Sequence, residues 1–164
     1  MGTIVQVTST DTIAALTETW ATITRTAGGP ELLERIREQS GVSLHRSALV
    51  TLWRLANDGP QLISELAVGV GVDVSTMSRL LRQLGRDGLV ERERQSDDLR
   101  RVEIRITDAG IEAHRRVSDA LTAILAEAIE DWTQSDRDAL VLLLSRFAES
   151  FIAQIERPLP ALAR

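Results

Sequence analysis

The sequence predicts a mainly α-helical fold with one small β-hairpin. Through most of the chain, apolar residues recur every three or four positions, which is the spacing of one face of an α-helix. The segment "RRVEIRIT" at 100–107 instead alternates apolar and charged residues, as a half-buried strand does. With 164 residues, 43% of them hydrophobic and 26% charged, the chain is long and apolar enough to bury a core.

The composition excludes several classes of protein. There is no cysteine, which rules out disulfides, thiolate metal sites and cysteine redox switches. The first residues, "MGTIVQVTSTD", lack the basic region and long apolar core of a secretory signal. No apolar run approaches the roughly 18 residues that a membrane span needs. We therefore expect a cytoplasmic protein without a membrane partner.

The N-terminal region, residues 11–58, is predicted to contain three helices after a flexible arm at 1–10. The first helix should begin near Asp11 and bury one face. That face carries Ile13, Leu16, Trp20 and Ile23. The segment "AGGP" at 27–30 should interrupt it, because Pro30 suits the first turn of a new helix. Ser43 is a candidate cap for the third helix, which should end at "NDGP".

Residues 59–107 are predicted to form two helices followed by a β-hairpin. The short helix "LISELAVGVG" contains Gly69, which costs roughly 1 kcal/mol against alanine, so it should depend on packing. Asp73 is well placed to cap the next helix, and Gly88 to end it. "LVERER" and "RRVEIRIT" should pair around the turn "QSDDL". This order of elements is that of a winged helix-turn-helix.

The second of these helices, "STMSRLLRQLGRDG", has two contrasting sides. One side is apolar and carries Met77, Leu80, Leu81 and Leu84. The opposite side carries Ser75, Arg79, Arg82 and Arg86. Between Thr76 and Arg105 there are eight arginines against six acids, whereas the rest of the chain has an acidic excess of seven. A local basic excess on an acidic body is typical of a surface for a polyanion.

The C-terminal region, residues 108–164, is predicted to form two long helices. One begins after Thr107, and the other opens at "SDRD" with Ser135 as a candidate cap. The second helix carries a sustained apolar seam of Leu140, Leu144, Phe147, Phe151 and Ile155. Because so small a protein has little core left to cover it, we interpret these helices and the first helix as a dimer interface. An intramolecular bundle is the alternative.

About sixty contiguous residues, from "LWRLANDGPQLISELAVGVG" to "RRVEIRITDAG", resemble the core of the MarR (multiple antibiotic resistance regulator) family. The matching motifs are "ELA", "VSTMSRLLRQL" followed by "GLVER", and Asp98-x-Arg100 with Thr107 and Gly110. The resemblance implies a homodimeric transcription regulator, expected to be a repressor, bound to a pseudo-palindromic operator. Two departures stand out: Leu62 replaces the usual capping Thr or Ser, and "AGGP" interrupts the usually long first helix.

The second helix of a helix-turn-helix presents its N-terminal side chains to base edges in the major groove of duplex DNA. The residues at that end are Ser75, Thr76, Ser78 and Arg79. Arg79 can bind guanine bidentately, while Arg82 and Arg86 are better placed for phosphates. By resemblance, the hairpin is a wing that reaches a minor groove. Its candidate residues are Arg94, Asp98, Arg100 and Arg101. A solvated helix face with local ion pairs, such as Arg86 with Asp87, is the alternative.

The resemblance also implies a small aromatic or anionic effector, bound in a cleft between the dimerisation helices and the DNA-binding lobe. Candidate residues are Trp20, His45, Trp53 and His114. For Trp20 and Trp53 the alternative is a structural role in the hydrophobic core, and this is the interpretation we favour. His45 and His114 could instead share a zinc ion, but we predict no metal and no cofactor.

No phosphate loop, nucleophile elbow or metal-ligand cluster appears in the sequence, so no catalytic residue is predicted. The remaining alternative is a winged-helix module for protein contact without a DNA target.

Overall fold

The computed structural model describes residues 9–94 and 102–156. Within these ranges the chain forms α1 (Ser9–Ala27), α2 (Pro30–Ser40), α3 (Arg46–Asp58), β1 (Gln61–Leu62), α4 (Ile63–Val70), α5 (Val74–Arg86), β2 (Val90–Arg94), β3 (Val102–Ile106), α6 (Asp108–Ala128) and α7 (Gln134–Ile155). The predicted class, mainly α with a small hairpin, is confirmed. The chain divides into two compact units, Met1–Thr122 and Ala123–Arg164, and the boundary between them falls within the residues of α6.

The N-terminal helices break where the sequence predicts. Gly29 is the extended N-cap of α2, and Pro30 occupies its first turn. The apolar face of α1 differs from expectation, because it is not buried in the single chain. Its members are exposed: Ile13, Leu16, Trp20 and Ile23. The described residues of one chain therefore cover this face only in part.

Two helices begin at residues other than the predicted caps. His45, not Ser43, is the N-cap of α3, and its Nδ1 accepts from the amide of Ala48 at 3.4 Å. Thr133, not Ser135, is the N-cap of α7, and its Oγ1 accepts from the amide of Asp136 at 3.2 Å. In both cases several polar residues near the helix start could accept a hydrogen bond from the backbone, and the sequence alone does not show which of them is the N-cap.

The sheet has three strands rather than the predicted two. β2 and β3 form the expected antiparallel hairpin, with Arg92 opposite Ile104. The additional strand β1 pairs antiparallel with the other edge of β3, which gives the order β1-β3-β2. In β1, Gln61 lies opposite Ile104. Two residues are too few to show an alternating pattern, so periodicity could not reveal this strand.

A buried cluster joins α3, α4, α5 and the sheet. Its largest fully buried apolar side chains are Leu52, Leu66, Met77, Leu84 and Ile104. Burying one such side chain contributes about 1.5–3 kcal/mol. Because Met77, Leu80, Leu81 and Leu84 of α5 all belong to this cluster, it fixes which side of α5 faces inward and which faces solvent.

The junction between α5, the hairpin and α6 is also fixed. Gly88 has φ +72°, and the amide of Leu89 donates to the Leu84 carbonyl at 2.9 Å, so Gly88 ends α5 as predicted. The Thr107 hydroxyl donates to the Gly88 carbonyl at 2.6 Å and accepts from the Gly110 amide at 3.1 Å. Thr107 therefore ties the start of α6 to the end of α5.

Two further observations concern the described ranges as a whole. Among residues 9–94 and 102–156, no helix combines the length and apolar character needed to cross a membrane. The same residues contain no group of three or more His, Asp or Glu side chains arranged to hold a metal ion.

Candidate nucleic-acid interface

Asp73 organises the N-terminal turn of α5. Its carboxylate accepts from the Ser75 hydroxyl at 2.5 Å, the Thr76 hydroxyl at 2.6 Å and the Thr76 amide at 2.9 Å. These hydrogen bonds, that from Ser75 foremost, hold the pKa of Asp73 far below its ordinary value. Because both hydroxyl hydrogens are donated to Asp73, Ser75 and Thr76 face their surroundings as acceptors. They are thus suited to base amino groups more than to phosphate oxygens.

The two sides of α5 have the predicted burial. Met77, Leu80, Leu81 and Leu84 are buried. The opposite side exposes Ser75, Arg79, Arg82 and Arg86, while Thr76 and Ser78 are half-buried. We call the three exposed arginines, Arg79, Arg82 and Arg86, the arginine stripe.

None of the three guanidinium groups of the arginine stripe has a carboxylate partner among the described residues. Arg79 donates to the Thr76 hydroxyl at 3.2 Å, and Arg82 donates to the Ser78 carbonyl at 3.2 Å. The predicted alternative partner of Arg86, the Asp87 carboxylate, instead accepts from Gln83 at 3.0 Å.

Other arginines of the described residues form ion pairs with acidic side chains. Arg37 is paired with Glu34, and Arg105 with Glu93. Arg115 is paired with both Glu112 and Asp119. The positive charge of the arginine stripe is therefore not compensated locally, which makes this side of α5 attractive to an anion.

The wing is described only up to its strands. Of the predicted wing residues, Arg94 belongs to β2, where only its backbone is described. Asp98, Arg100 and Arg101 lie outside the described residues. Arg92 is a further candidate wing residue that was not predicted from the sequence. It is exposed, and it shares a sheet face with the core residue Ile104. The alternation in "VERER" already placed Arg92 on the same face as Val90, which is the signal that could have identified it.

Two of the four candidate effector residues line one groove. The groove has a volume of about 340 Å³ and lies within the first unit, beside α2, α3 and α6. Trp53 and His114 line it, together with Leu33, Ile36, Arg46, Val50, Val117 and Leu121. The Nε2 atom of His114 is buried and has no hydrogen-bond partner among the described residues.

The other two candidates, Trp20 and His45, are not among the residues that line this groove. The preferred interpretation of both tryptophans as plain core is wrong for the single chain. Trp20 is 41% exposed and Trp53 is 53% exposed.

Comparison with known proteins finds a likeness over part of the chain. The model of the MarR family matches residues 44–102. The HTH-type transcriptional regulator YdgJ of Bacillus subtilis is 30% identical over 107 residues, which is 65% of this chain and 64% of that protein. The HTH-type transcriptional repressor IacR of Pseudomonas putida is 26% identical over 105 residues, which is 64% of this chain and 60% of that protein.

Solved structures agree on the fold. A MarR family protein from Bacillus stearothermophilus has a TM-score of 0.71 at 21% identity, covering 92% of this chain and all of that one. Wild-type MarR from E. coli in its apo form has a TM-score of 0.66 at 20% identity, covering 80% and 96%.

The helix-turn-helix, the hairpin wing and these likenesses define a winged helix-turn-helix protein. Over residues 44–102 the chain is similar to the MarR family. The curated relatives are HTH-type transcriptional regulators by name. The matches span 60–64% of the length of those relatives.

Proposed function

We propose that this protein is a transcription regulator that binds double-stranded DNA with sequence specificity through α5. The observation that carries the proposal is the arginine stripe, which is exposed, has no carboxylate partner among residues 9–94 and 102–156, and lies opposite the buried side of α5. In the major groove, Arg79 and the acceptor oxygens of Ser75 and Thr76 would meet base edges, with Ser78 beside them. Arg82 and Arg86 would meet phosphates. Arg94, Asp98, Arg100 and Arg101 are the proposed wing residues.

We further propose that the protein acts as a homodimer on a pseudo-palindromic operator. Support comes from apolar side chains that one chain leaves exposed in each unit. In α1 these include Ile13 at 62% exposure, and in α7 they include Leu144 at 53%. Covering such faces with a second copy removes apolar surface from water, which favours association. A two-fold dimer presents two copies of α5 and therefore selects two related half-sites.

An effector that controls DNA binding is the third part of the proposal. The groove beside α3 offers mainly apolar walls, the cation Arg46 and the unpartnered Nε2 of His114. Such a groove suits a small aromatic or anionic compound, because the apolar walls accept a ring and the polar groups orient it. A compound that binds better to the DNA-free arrangement would release the operator, as a repressor requires.

The experiment that tests the proposal begins with selection of bound duplexes from random DNA. Affinity for the selected duplex and for a shuffled duplex of equal length is then measured by fluorescence anisotropy across a salt series. We expect tighter binding to the selected duplex, and a logarithm of affinity that falls linearly with the logarithm of salt. Arg115→Ala is the matched control, because that arginine is already paired with two acids. Absence of any salt-dependent binding would favour the protein-contact module instead.

A further inference from the structure

Gly69 occupies the interior of α4, where glycine weakens a helix. The structure shows what this glycine permits. A Cβ atom at position 69 would lie 2.4 Å from Cζ and 2.6 Å from Nε of Arg54, which is in α3. The guanidinium group of Arg54 therefore lies directly against the backbone of α4, in the space that any other side chain would fill.

Arg54 also binds the segment that joins α3 to α4. Its Nε and one terminal nitrogen both donate to Oε1 of Gln61 at 3.3 Å. It forms an ion pair with Asp58 at 3.5 Å, and Gln61 donates to Asp58 at 3.4 Å. Gln61 is only 7% exposed and lies opposite Ile104 in the sheet. We call Arg54, Asp58 and Gln61 the polar clamp; with Gly69 it links α3, β1 and α4.

The helix held by the polar clamp has little stability of its own. α4 has eight residues, and its N-cap, Leu62, offers no side-chain acceptor. Glu65 compensates in part by accepting from the Leu62 amide at 2.9 Å. Because an isolated helix this short does not form in water, the position of α4 depends on its tertiary contacts. α5 follows α4 after a turn of three residues, so the position of α4 sets that of α5.

We propose that Arg54 is a positioning residue for α5: it holds α4 against α3 through the polar clamp and so orients the arginine stripe, without touching DNA itself. The proposal rests on the proposed DNA-binding function. It also explains Gly69, since a side chain there would displace the guanidinium group rather than the helix. That displacement would break the bonds to Gln61 and Asp58.

The test is a double-mutant cycle with Arg54→Ala, Gly69→Ala and the double variant, applied to the intact protein. Affinity is measured for a selected duplex and for a shuffled one, well below the melting temperature of every variant. We expect Arg54→Ala to weaken binding to the selected duplex about tenfold, with the salt slope unchanged because no phosphate contact is lost. Gly69→Ala should weaken it in the same direction. The double variant should bind no worse than Arg54→Ala alone.

Val68→Ala is the matched control, because Val68 is adjacent in α4 but 83% exposed. It should leave affinity unchanged and combine additively with Arg54→Ala. The melting temperatures of the same variants give an independent double-mutant cycle. In the Arg54→Ala background, Gly69→Ala should raise the melting temperature, because the space of the guanidinium group is then free and alanine is the better helix former.

Three results would overturn the proposal. The first is that Arg54→Ala and Gly69→Ala have additive effects on affinity. The second is that Arg54→Ala lowers the melting temperature and leaves the affinity unchanged. The third is that Arg54→Ala reduces the salt slope by about one, which would mark a phosphate contact. A wild-type protein that binds no duplex would instead overturn the proposed function, while the melting cycle would still report on the polar clamp.

Discussion

The N-terminal turn of α5 depends on Asp73, because its carboxylate accepts hydrogen bonds from the hydroxyls of Ser75 and Thr76 and from the amide of Thr76. Its pKa lies below the ordinary value of 3.8 in the folded protein. The charged carboxylate therefore stabilises the fold at neutral pH, and this contribution is lost as the pH falls from 3.8 toward the lowered pKa.

We predict that Asp73→Ala lowers the melting temperature at pH 7, since the cap and its three hydrogen bonds disappear. The difference from wild type should shrink below about pH 4, where Asp73 of the unfolded chain begins to bind a proton while Asp73 of the folded protein is still charged. Asp73→Asn should keep part of the cap and lose less stability at pH 7 than Asp73→Ala, and its difference from wild type should also shrink in acid, because neither variant has the carboxylate. Thermal unfolding followed by circular dichroism at several pH values measures this, and a difference that grows in acid would contradict it.

Arg79 and Arg82 should make different contributions to DNA binding. Arg79→Ala should cost roughly 1–3 kcal/mol and relax base preference at one position in each half-site, because a bidentate base contact is lost. Arg82→Ala should weaken all sequences about equally and reduce the salt slope by about one, because a phosphate contact is lost. Repeating the selection and the salt series with each variant measures both effects. Identical behaviour of the two variants on selected and shuffled duplexes would refute this division.

At the scale of elements, the start of α6 packs closely against Leu89, between α5 and β2. A Cβ atom on Gly110 would lie 2.1 Å from the carbonyl oxygen of Leu89, a backbone atom that cannot move independently. We predict that Gly110→Ala destabilises the protein by at least about 1–3 kcal/mol through overpacking.

Gly85→Ala is the matched control for Gly110→Ala. Its Cβ would be 3.7 Å from the carbonyl oxygen of Val90, an ordinary contact, so alanine should stabilise α5 by about 1 kcal/mol. Urea unfolding of both variants provides the comparison. Equal effects of the two substitutions would mean that the α5–α6 junction is looser than described.

The elements that the sequence predicts well are those whose signals are local. The two sides of α5, its cap Asp73 and its end at Gly88 follow from spacing and from single-residue preferences. β1 could not be predicted, because its two residues become a strand only by pairing with β3. The bonds of Arg54 also escaped prediction, since they join residues whose proximity arises from the packing of α3 against α4.

The candidate site shows the same limit. The arginine stripe was predictable because helical periodicity alone brings its members to one side. The groove was only half predictable, because it is formed where helices distant in sequence meet. Trp53 and His114 line it, whereas His45 serves as a helix cap instead.

At the scale of the whole molecule, exposed apolar residues of α7 predict an association that a single substitution can break. Leu144 belongs to the apolar seam of α7, whereas Leu142 points about 160° away from it at 100° per residue. Both side chains are more than half exposed in the single chain. We predict that Leu144→Glu yields a monomer and that Leu142→Glu leaves a dimer. Sedimentation velocity measures both, and dimers of equal stability from the two variants would exclude this face.

Hydroxyl-radical footprinting of the selected duplex shows whether two copies of α5 bind one duplex. If they do, the protected region has two-fold symmetry, and its half-site centres are roughly 34 Å, one helical turn, apart. Protection should disappear when Arg79, Arg82 and Arg86 are all replaced by alanine. An asymmetric footprint, or one that survives loss of the arginine stripe, would contradict the account.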